Sequence, residues 1–225
     1  MASLRTFGLL TLFGVLPGLV QSAGAEMRDQ LRAIENRYNR AQSLRLTFSE
    51  SYAGARRPAR TETGTLYLRK PGRMRWEYTE PAGKLFVSDG KSVFLYTPGE
   101  SRAEKSPLKQ TEDMRAPLAF LLGKLDFERE FKTFSPVQDS AGTWIAAEPK
   151  SANLAYTKVE FLATAAGEIQ RVRITGQDRS RLEFAFSGEK LNAPVAPSLF
   201  VFQPPAGTSR TRSWRFRYAR RYWFR

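Results

Sequence analysis

Between Gly64 and Tyr78 the chain alternates apolar and polar positions with period two. Leu66 and Leu68 come before Lys70-Pro71-Gly72, and Met74, Trp76 and Tyr78 come after it, with Arg73, Arg75 and Glu77 interleaved. Successive strand side chains point to opposite faces, so this stretch predicts a hairpin with one apolar and one charged face. The same period runs through Leu44, Leu46 and Phe48, which predicts a strand of about eight residues followed by a flexible basic loop at Gly54, Arg56, Arg57 and Pro58. Asp89-Gly90 lies between the apolar runs 85–87 and 93–96, a strong short-range hairpin signal. Further alternating runs at 144–147, 157–162, 169–175 and 181–187, and a last one at 199–202 stopped by Pro204-Pro205, bring the count to about nine or ten short strands. That spacing predicts an open barrel or a strongly curved antiparallel sheet.

Two stretches break the period. Residues 26–42 place Met27, Leu31, Ile34, Tyr38 and Ala41 on one stripe, with charged and amide side chains elsewhere, which predicts an amphipathic helix. Residues 114–124 read MRAPLAFLLGK. Pro117 suits a first helical turn and Gly123 a helix end, and Leu118, Phe120, Leu121 and Leu122 leave little polar surface, so a short helix covering something apolar is expected.

Charge changes this picture less than its total suggests. Lys and Arg number 36 against 22 Asp and Glu, a net charge of +14. Seven Arg and no acid fall in residues 208–225, which leaves 28 basic against 22 acidic residues in 26–207. The body is only mildly basic, and a nucleic-acid partner is not expected. The first 25 residues have a basic start at Arg5, an apolar run over 7–20 broken by Pro17, and the small-residue ending Ala23-Gly24-Ala25, the pattern of a cleavable secretory signal. Cys and His are both absent, which removes His-based triads, Cys nucleophiles, and thiolate or imidazole metal sites. Without a Cys to acylate, the chain is not expected to carry a lipid anchor of its own. Asp89, Asp178 and Glu183 are the carboxylates an enzyme reading would draw on, but no spacing brings them together.

The series GTLYLRKPGRMRWEY, VSDGK, FLYTP, APLAFLLG, WIAAEPK, Gln177-Asp178, FAFS and FVFQPPAG covers nearly all of 26–207 in one order. In that order the chain resembles the outer-membrane lipoprotein carrier family, the periplasmic LolA-like proteins. The resemblance implies a mainly β fold with a few helices (α+β): an incomplete antiparallel β-barrel covered by a lid of short helices, with no cofactor or metal. It also implies a periplasmic monomer that accepts acylated lipoproteins from an ATP-driven inner-membrane exporter and passes them to an outer-membrane receptor or to the outer membrane directly. A fold relative that senses lipoproteins or envelope stress is the alternative. The physical case for a carrier is simple: at about 0.8 kcal/mol per methylene, three acyl chains of roughly fifteen methylenes carry more than about 30 kcal/mol of aversion to water.

Parity then nominates an acyl-chain lining of Leu46, Phe48, Leu66, Leu68, Met74, Trp76, Tyr78, Leu182, Phe184 and Phe186, with Leu118, Leu121 and Leu122 as the lid. Lys70 shares the parity of Leu66 and Leu68. The family commonly has an Arg at this position, bonded to the lid, so Lys70 is expected to form a looser latch, being a point charge without a planar fork. The domain plan is a signal over 1–25, a carrier-like body over 26–207, and a flexible basic-aromatic tail over 208–225. In the tail Arg215, Arg217, Arg220 and Arg221 alternate with or flank Trp and Tyr, as suits docking on an anionic membrane or an acidic partner.

Overall fold

The computed structural model describes residues 20–54, 57–108, 125–152, 154, 156–207 and 209–212. A helix, α1 (Val20–Arg40), leads into six strands: β1 (Ser43–Gly54), β2 (Arg57–Arg69), β3 (Arg73–Glu80), β4 (Leu85–Asp89), β5 (Ser92–Tyr96) and β6 (Arg102–Pro107). A one-turn helix, α2 (Phe127–Glu130), precedes β7 (Phe131–Asp139), β8 (Gly142–Pro149), β9 (Tyr156–Ala163), β10 (Ile169–Gly176) and β11 (Arg181–Leu191). A 3₁₀ turn (Pro197–Phe200) and β12 (Ser209–Arg212) follow. The strands form one sheet in the order β12-β6-β5-β4-β3-β2-β1-β11-β10-β9-β8-β7, antiparallel except for the parallel β12–β6 pair. The two ends of that order do not meet, so the molecule is an incomplete barrel.

The central hairpin forms as its period predicts, with Leu66 opposite Trp76 and Leu68 opposite Met74. Gly64 faces Tyr78 across this pair and Phe48 across the β1–β2 pair. A Cβ at Gly64 would collide with the Glu77 carbonyl and lie 2.8 Å from the Phe48 ring, so the missing side chain is what makes room for both. The Asp89-Gly90 turn is closed by the Asp89 carboxylate, which accepts from the backbone N–H groups of Lys91 and Ser92 at 2.7 Å each.

Several expectations give way. The basic loop after β1 is mostly strand: Arg57 and Pro58 lie in β2, whose pairing with β1 runs out to Gly54–Arg57. The sequence there has no apolar period, and the backbone ladder continues without it. The strand expected at 199–202 is a 3₁₀ turn with Pro197 in its first turn, and its aromatic pair packs differently. Phe202 stacks on Phe94, 5.0 Å between centroids, over Val87 and Ala103 on the outer face of the sheet. Residues 209–212, expected in a flexible tail, add β12 alongside β6.

The inner face holds the main core. Leu31, Ile34 and Tyr38 of α1 are buried in one cluster with the inward side chains of the sheet, with Met27 half-buried beside them. Gly167, in the β9–β10 turn, comes so close to Ala33 and Ile34 of α1 that a Cβ would lie 2.5 Å from the Ala33 carbonyl. Among the described residues no helix is long and apolar enough to cross a membrane.

Candidate functional site

Every lining residue nominated from parity that lies in the described strands falls in the main buried cluster of the inner face. Leu46, Phe48, Leu66, Leu68, Met74, Trp76, Tyr78, Leu182 and Phe184 are buried there, and Phe186 is half-buried against them. The aromatic members touch one another: Phe48 meets Trp76 edge-on at 4.7 Å and Tyr78 at 5.1 Å, Trp76 lies 5.5 Å from Phe184, and Phe184 stacks on Phe186 at 5.9 Å. Edge-to-face and offset contacts of this kind add to plain area burial. In this conformation the strip's side chains pack on one another, in the same buried cluster as Leu31, Ile34 and Tyr38 of α1. Leu118, Leu121 and Leu122, and the tail residues Arg215, Arg217, Arg220 and Arg221, lie outside the described residues.

Lys70 reaches α1. Its Nζ donates to the carbonyls of Tyr38 at 3.1 Å and Asn39 at 2.7 Å, and its backbone N–H donates to Gln42 O at 2.9 Å. These are carbonyls of the last helical turn and the residue beyond, where a cation meets unsatisfied acceptors and the negative end of the helix dipole. Partial burial pulls the Lys70 ammonium below its ordinary pKa. The described contact is therefore to the end of α1, the amphipathic helix expected over 26–42. Beside it, an open groove of about 690 Å³ runs between the Arg69–Lys70 corner and residues 193–196.

Further side chains tie α1 across the same end of the sheet. Register between β1 and β11 slips from Arg45–Lys190 to Thr47–Ser187, inserting one residue at Gly188, whose φ is +63°. Such a bulge re-aims the strand that follows. Glu189 is turned to α1, where it accepts from Tyr38 Oη at 2.6 Å and pairs with Arg37 at 2.6 Å. Ile169 N–H in turn donates to Tyr38 Oη at 2.9 Å. Burial, then the neighbouring Glu189, pushes the Tyr38 hydroxyl well above its usual pKa. The Asn39 amide acts as a stand-in strand residue for Leu125, donating to its carbonyl and accepting from its N–H, both at 2.8 Å. Glu35 accepts from Phe127 N–H at 2.7 Å.

At the opposite end of the inner face sits a polar cluster. Glu50 of β1 and Glu62 of β2 are cross-strand neighbours, both buried, and continue the parity of Phe48 and Gly64. Lys84 pairs with Glu62 and lies 4.2 Å from the Tyr78 ring centroid, Arg60 bonds Glu62 at 3.0 Å, and Tyr78 Oη donates to Glu50 at 3.3 Å. Burial pushes the Glu50 carboxyl up to about 7, with Lys84 opposing and Glu62 reinforcing that shift. Carrying the alternation two residues past Phe48 identifies Glu50 as an inward-facing acid.

The carboxylates open to an enzyme reading serve local structure. Asp89 closes its turn; Asp178 accepts from Ser180 N–H at 3.0 Å and Ser180 Oγ at 2.6 Å; Glu183 is on the outer face, bonded to Arg173 at 3.1 Å. The sequence pattern described as outer membrane lipoprotein carrier protein LolA matches residues 39–203. The chain belongs to that family. Curated relatives named outer-membrane lipoprotein carrier protein include one from Chromobacterium violaceum, 29% identical over 89% of this chain and 95% of its own length. Another, from Dechloromonas aromatica, is 27% identical over 88% and 91%. A crystal structure of a conserved protein from Thermus thermophilus shares the fold, with a TM-score of 0.51 at 12% identity over 83% of this chain and 99% of the other. This family is one of carriers, and the chain is similar to its members across nearly its whole body.

Proposed function

We propose that this protein is a periplasmic carrier for acylated lipoproteins, exported by removal of residues 1–25, taking cargo from an inner-membrane exporter and delivering it to the outer membrane or a receptor there. The observation that carries the reading is the aromatic-aliphatic strip on the inner face of the sheet. It is a contiguous apolar face in one buried cluster with Leu31, Ile34 and Tyr38 of α1, a helix held by polar contacts at its C-terminal half and by that one apolar stripe. Acyl chains replacing α1 on this strip would exchange one apolar cover for another, so loading has little hydrophobic cost beyond the helix contacts it breaks. Closure of α1 and binding of cargo then compete for the same face. A carrier must release what it binds, and a closed state of its own supplies that competition.

Leu46, Phe48, Leu66, Leu68, Met74, Trp76, Tyr78, Phe184 and Phe186 form the acyl-chain lining in this reading, Leu118, Leu121 and Leu122 extend the cover, and Lys70 is the latch. Arg215, Arg217, Arg220 and Arg221 are the membrane or partner contacts. The deciding experiment incubates the mature protein with spheroplasts or inner-membrane vesicles holding labelled lipoprotein. Acylated lipoprotein leaving as a soluble one-to-one complex is the expected result. Folded protein that extracts none overturns the carrier function.

A further inference from the structure

The inner face has unlike ends. Where α1 crosses it, near Leu44, Leu68, Ile169 and Leu191, the polar groups are mostly spent on holding the helix: Lys70 on carbonyls, and Arg37 and Glu189 on each other. At the far end the apolar strip runs directly into a carboxylate. On β1 the inward positions read Leu44, Leu46, Phe48, Glu50, and Glu50 is 6% exposed. Its cross-strand neighbours are Glu62 on β2 and Phe184 on β11, so one side offers like charge and the other no polar group. The cations nearby are committed elsewhere. Lys84 and Arg60 both bond Glu62 and act on Glu50 only through space, so among the described residues Glu50 has one long hydrogen bond, 3.3 Å from Tyr78 Oη, and no ion pair. A carboxylate nine-tenths buried without a direct ion pair is costly.

We propose that Glu50 is a specificity residue of the carrier site, receiving the ammonium of a lipoprotein whose terminal cysteine carries a diacylated glyceryl group in thioether linkage to its sulfur and keeps a free α-amine. The proposal rests on the carrier reading. Chains laid along Leu46, Phe48 and Trp76 with their methyl ends toward α1 bring the polar head out at Glu50. A free ammonium there supplies the missing cation and donates charge-assisted hydrogen bonds; an N-acylated nitrogen offers one neutral N–H. The charged and titratable groups facing Glu50 are Glu62 and Arg60 on β2, Tyr78 on β3 and Lys84 in the β3–β4 turn, with Phe184 facing it from β11. Because the Glu50 carboxyl titrates near 7, the preference grows as pH rises through that value, while a terminal amine, with a pKa of about 7.7–8, stays largely charged.

The probes are a synthetic cysteinyl peptide carrying an S-linked diacylglyceryl group and a free amine, and the same peptide N-acetylated, which keeps the number of long chains constant. Binding is measured by displacement of a fluorescent fatty acid at pH 7.5 and 5.5, with the intact mature protein and with Glu50→Gln. The intact protein is expected to prefer the free amine about tenfold at pH 7.5 and at most about twofold at pH 5.5, and Glu50→Gln to bind both peptides alike at both pH values. Equal affinities for the intact protein at pH 7.5, or a preference that survives in Glu50→Gln, overturn the role of Glu50 while leaving the carrier function standing. Failure to bind either peptide overturns both.

Discussion

Two buried charges on opposite faces of one sheet show how the same fold can either neutralise an ion or leave it unsatisfied. On the outer face Arg173 of β10 bonds Glu183 of β11 and Asp139 of β7 at 3.1 Å each, approaches Glu160 of β9 at 4.0 Å, and lies 3.9 Å over the ring of Trp144 on β8. The Trp144 Nε1–H donates to Asp139 at 2.8 Å. That bond, the Ala141 backbone N–H and Arg173 hold the Asp139 carboxyl down at about 2. One guanidinium thus links every strand from β7 to β11, and its planar fork is used in full. On the inner face Glu50 has the same degree of burial and one long hydrogen bond. The difference lies in what surrounds each group. Arg173 is set in a ring of acids on a charged face, and Glu50 sits at the end of an apolar strip. The first arrangement stabilises the sheet. The second is the arrangement proposed above to receive a cation.

The largest test breaks the satisfied side. Arg173→Leu leaves Asp139, Glu160 and Glu183 crowded without their shared cation, and removing one partner of a buried ionic group typically costs about 3–5 kcal/mol. A loss of about 3 kcal/mol in urea denaturation is expected, at the low end of that range, since Asp139 keeps some water. A loss below about 1 kcal/mol would show that surface pairs such as Lys158–Glu160 carry the ladder without it.

Glu50→Gln tests the other side, with the opposite sign. Its folded-state value of about 7 lies above the ordinary 4.5, so the folded protein holds a proton the unfolded chain gives up. Stability from this group is complete below pH 4.5 and is lost as pH rises toward 7. A shift of that size amounts to at most about 3 kcal/mol. Glu50→Gln should match the parent at pH 4 and exceed it at pH 8 by up to that amount, read as urea midpoints across the pH series. A difference that does not change with pH would mean that Lys84 neutralises Glu50 after all.

How far each charge could be read from the chain follows from its neighbours in sequence. The 64–78 hairpin and the inner parity of β1, β3 and β11 were legible because apolar side chains repeat every second residue where one face is dry. β6, with the sequence RAEKSP, carries no such signal; only Ala103 and Ser106 are buried in it, so nothing apolar repeats. Leu199 to Phe202 carried a false one, because a short 3₁₀ turn laid on the outer face can bury Phe200 and Phe202 as a strand would. The inward bearing of Glu50 and Glu62 was legible by parity. Their imbalance was not, because it depends on Lys84 returning from the β3–β4 turn and on Arg60 choosing Glu62. The β11 bulge that hands Glu189 to α1 is likewise a register event, with only Gly188 to hint at it. For Lys70 the sequence indicated the face, and the partner had to come from the helix docking.

That partner makes Lys70 the point where the two ends of the inner face can be weighed against each other. Lys70→Leu removes two donors from the carbonyls of Tyr38 and Asn39 and a cation from the end of α1, a loss of about 1 kcal/mol from the closed state. If α1 and cargo compete for the strip, weakening closure strengthens retention. About 1 kcal/mol corresponds to roughly fivefold tighter holding and, with loading unchanged, a similarly slower release. Lys70→Arg should act in the reverse direction, because a planar fork can satisfy both carbonyls in fixed geometry. Release of a labelled lipoprotein to acceptor vesicles, timed for the parent and both variants, checks this. Rates ordered Arg, Lys, Leu from fastest to slowest support competition. Three equal rates would make the α1 end a static plug and leave the Glu50 end as the one that governs exchange.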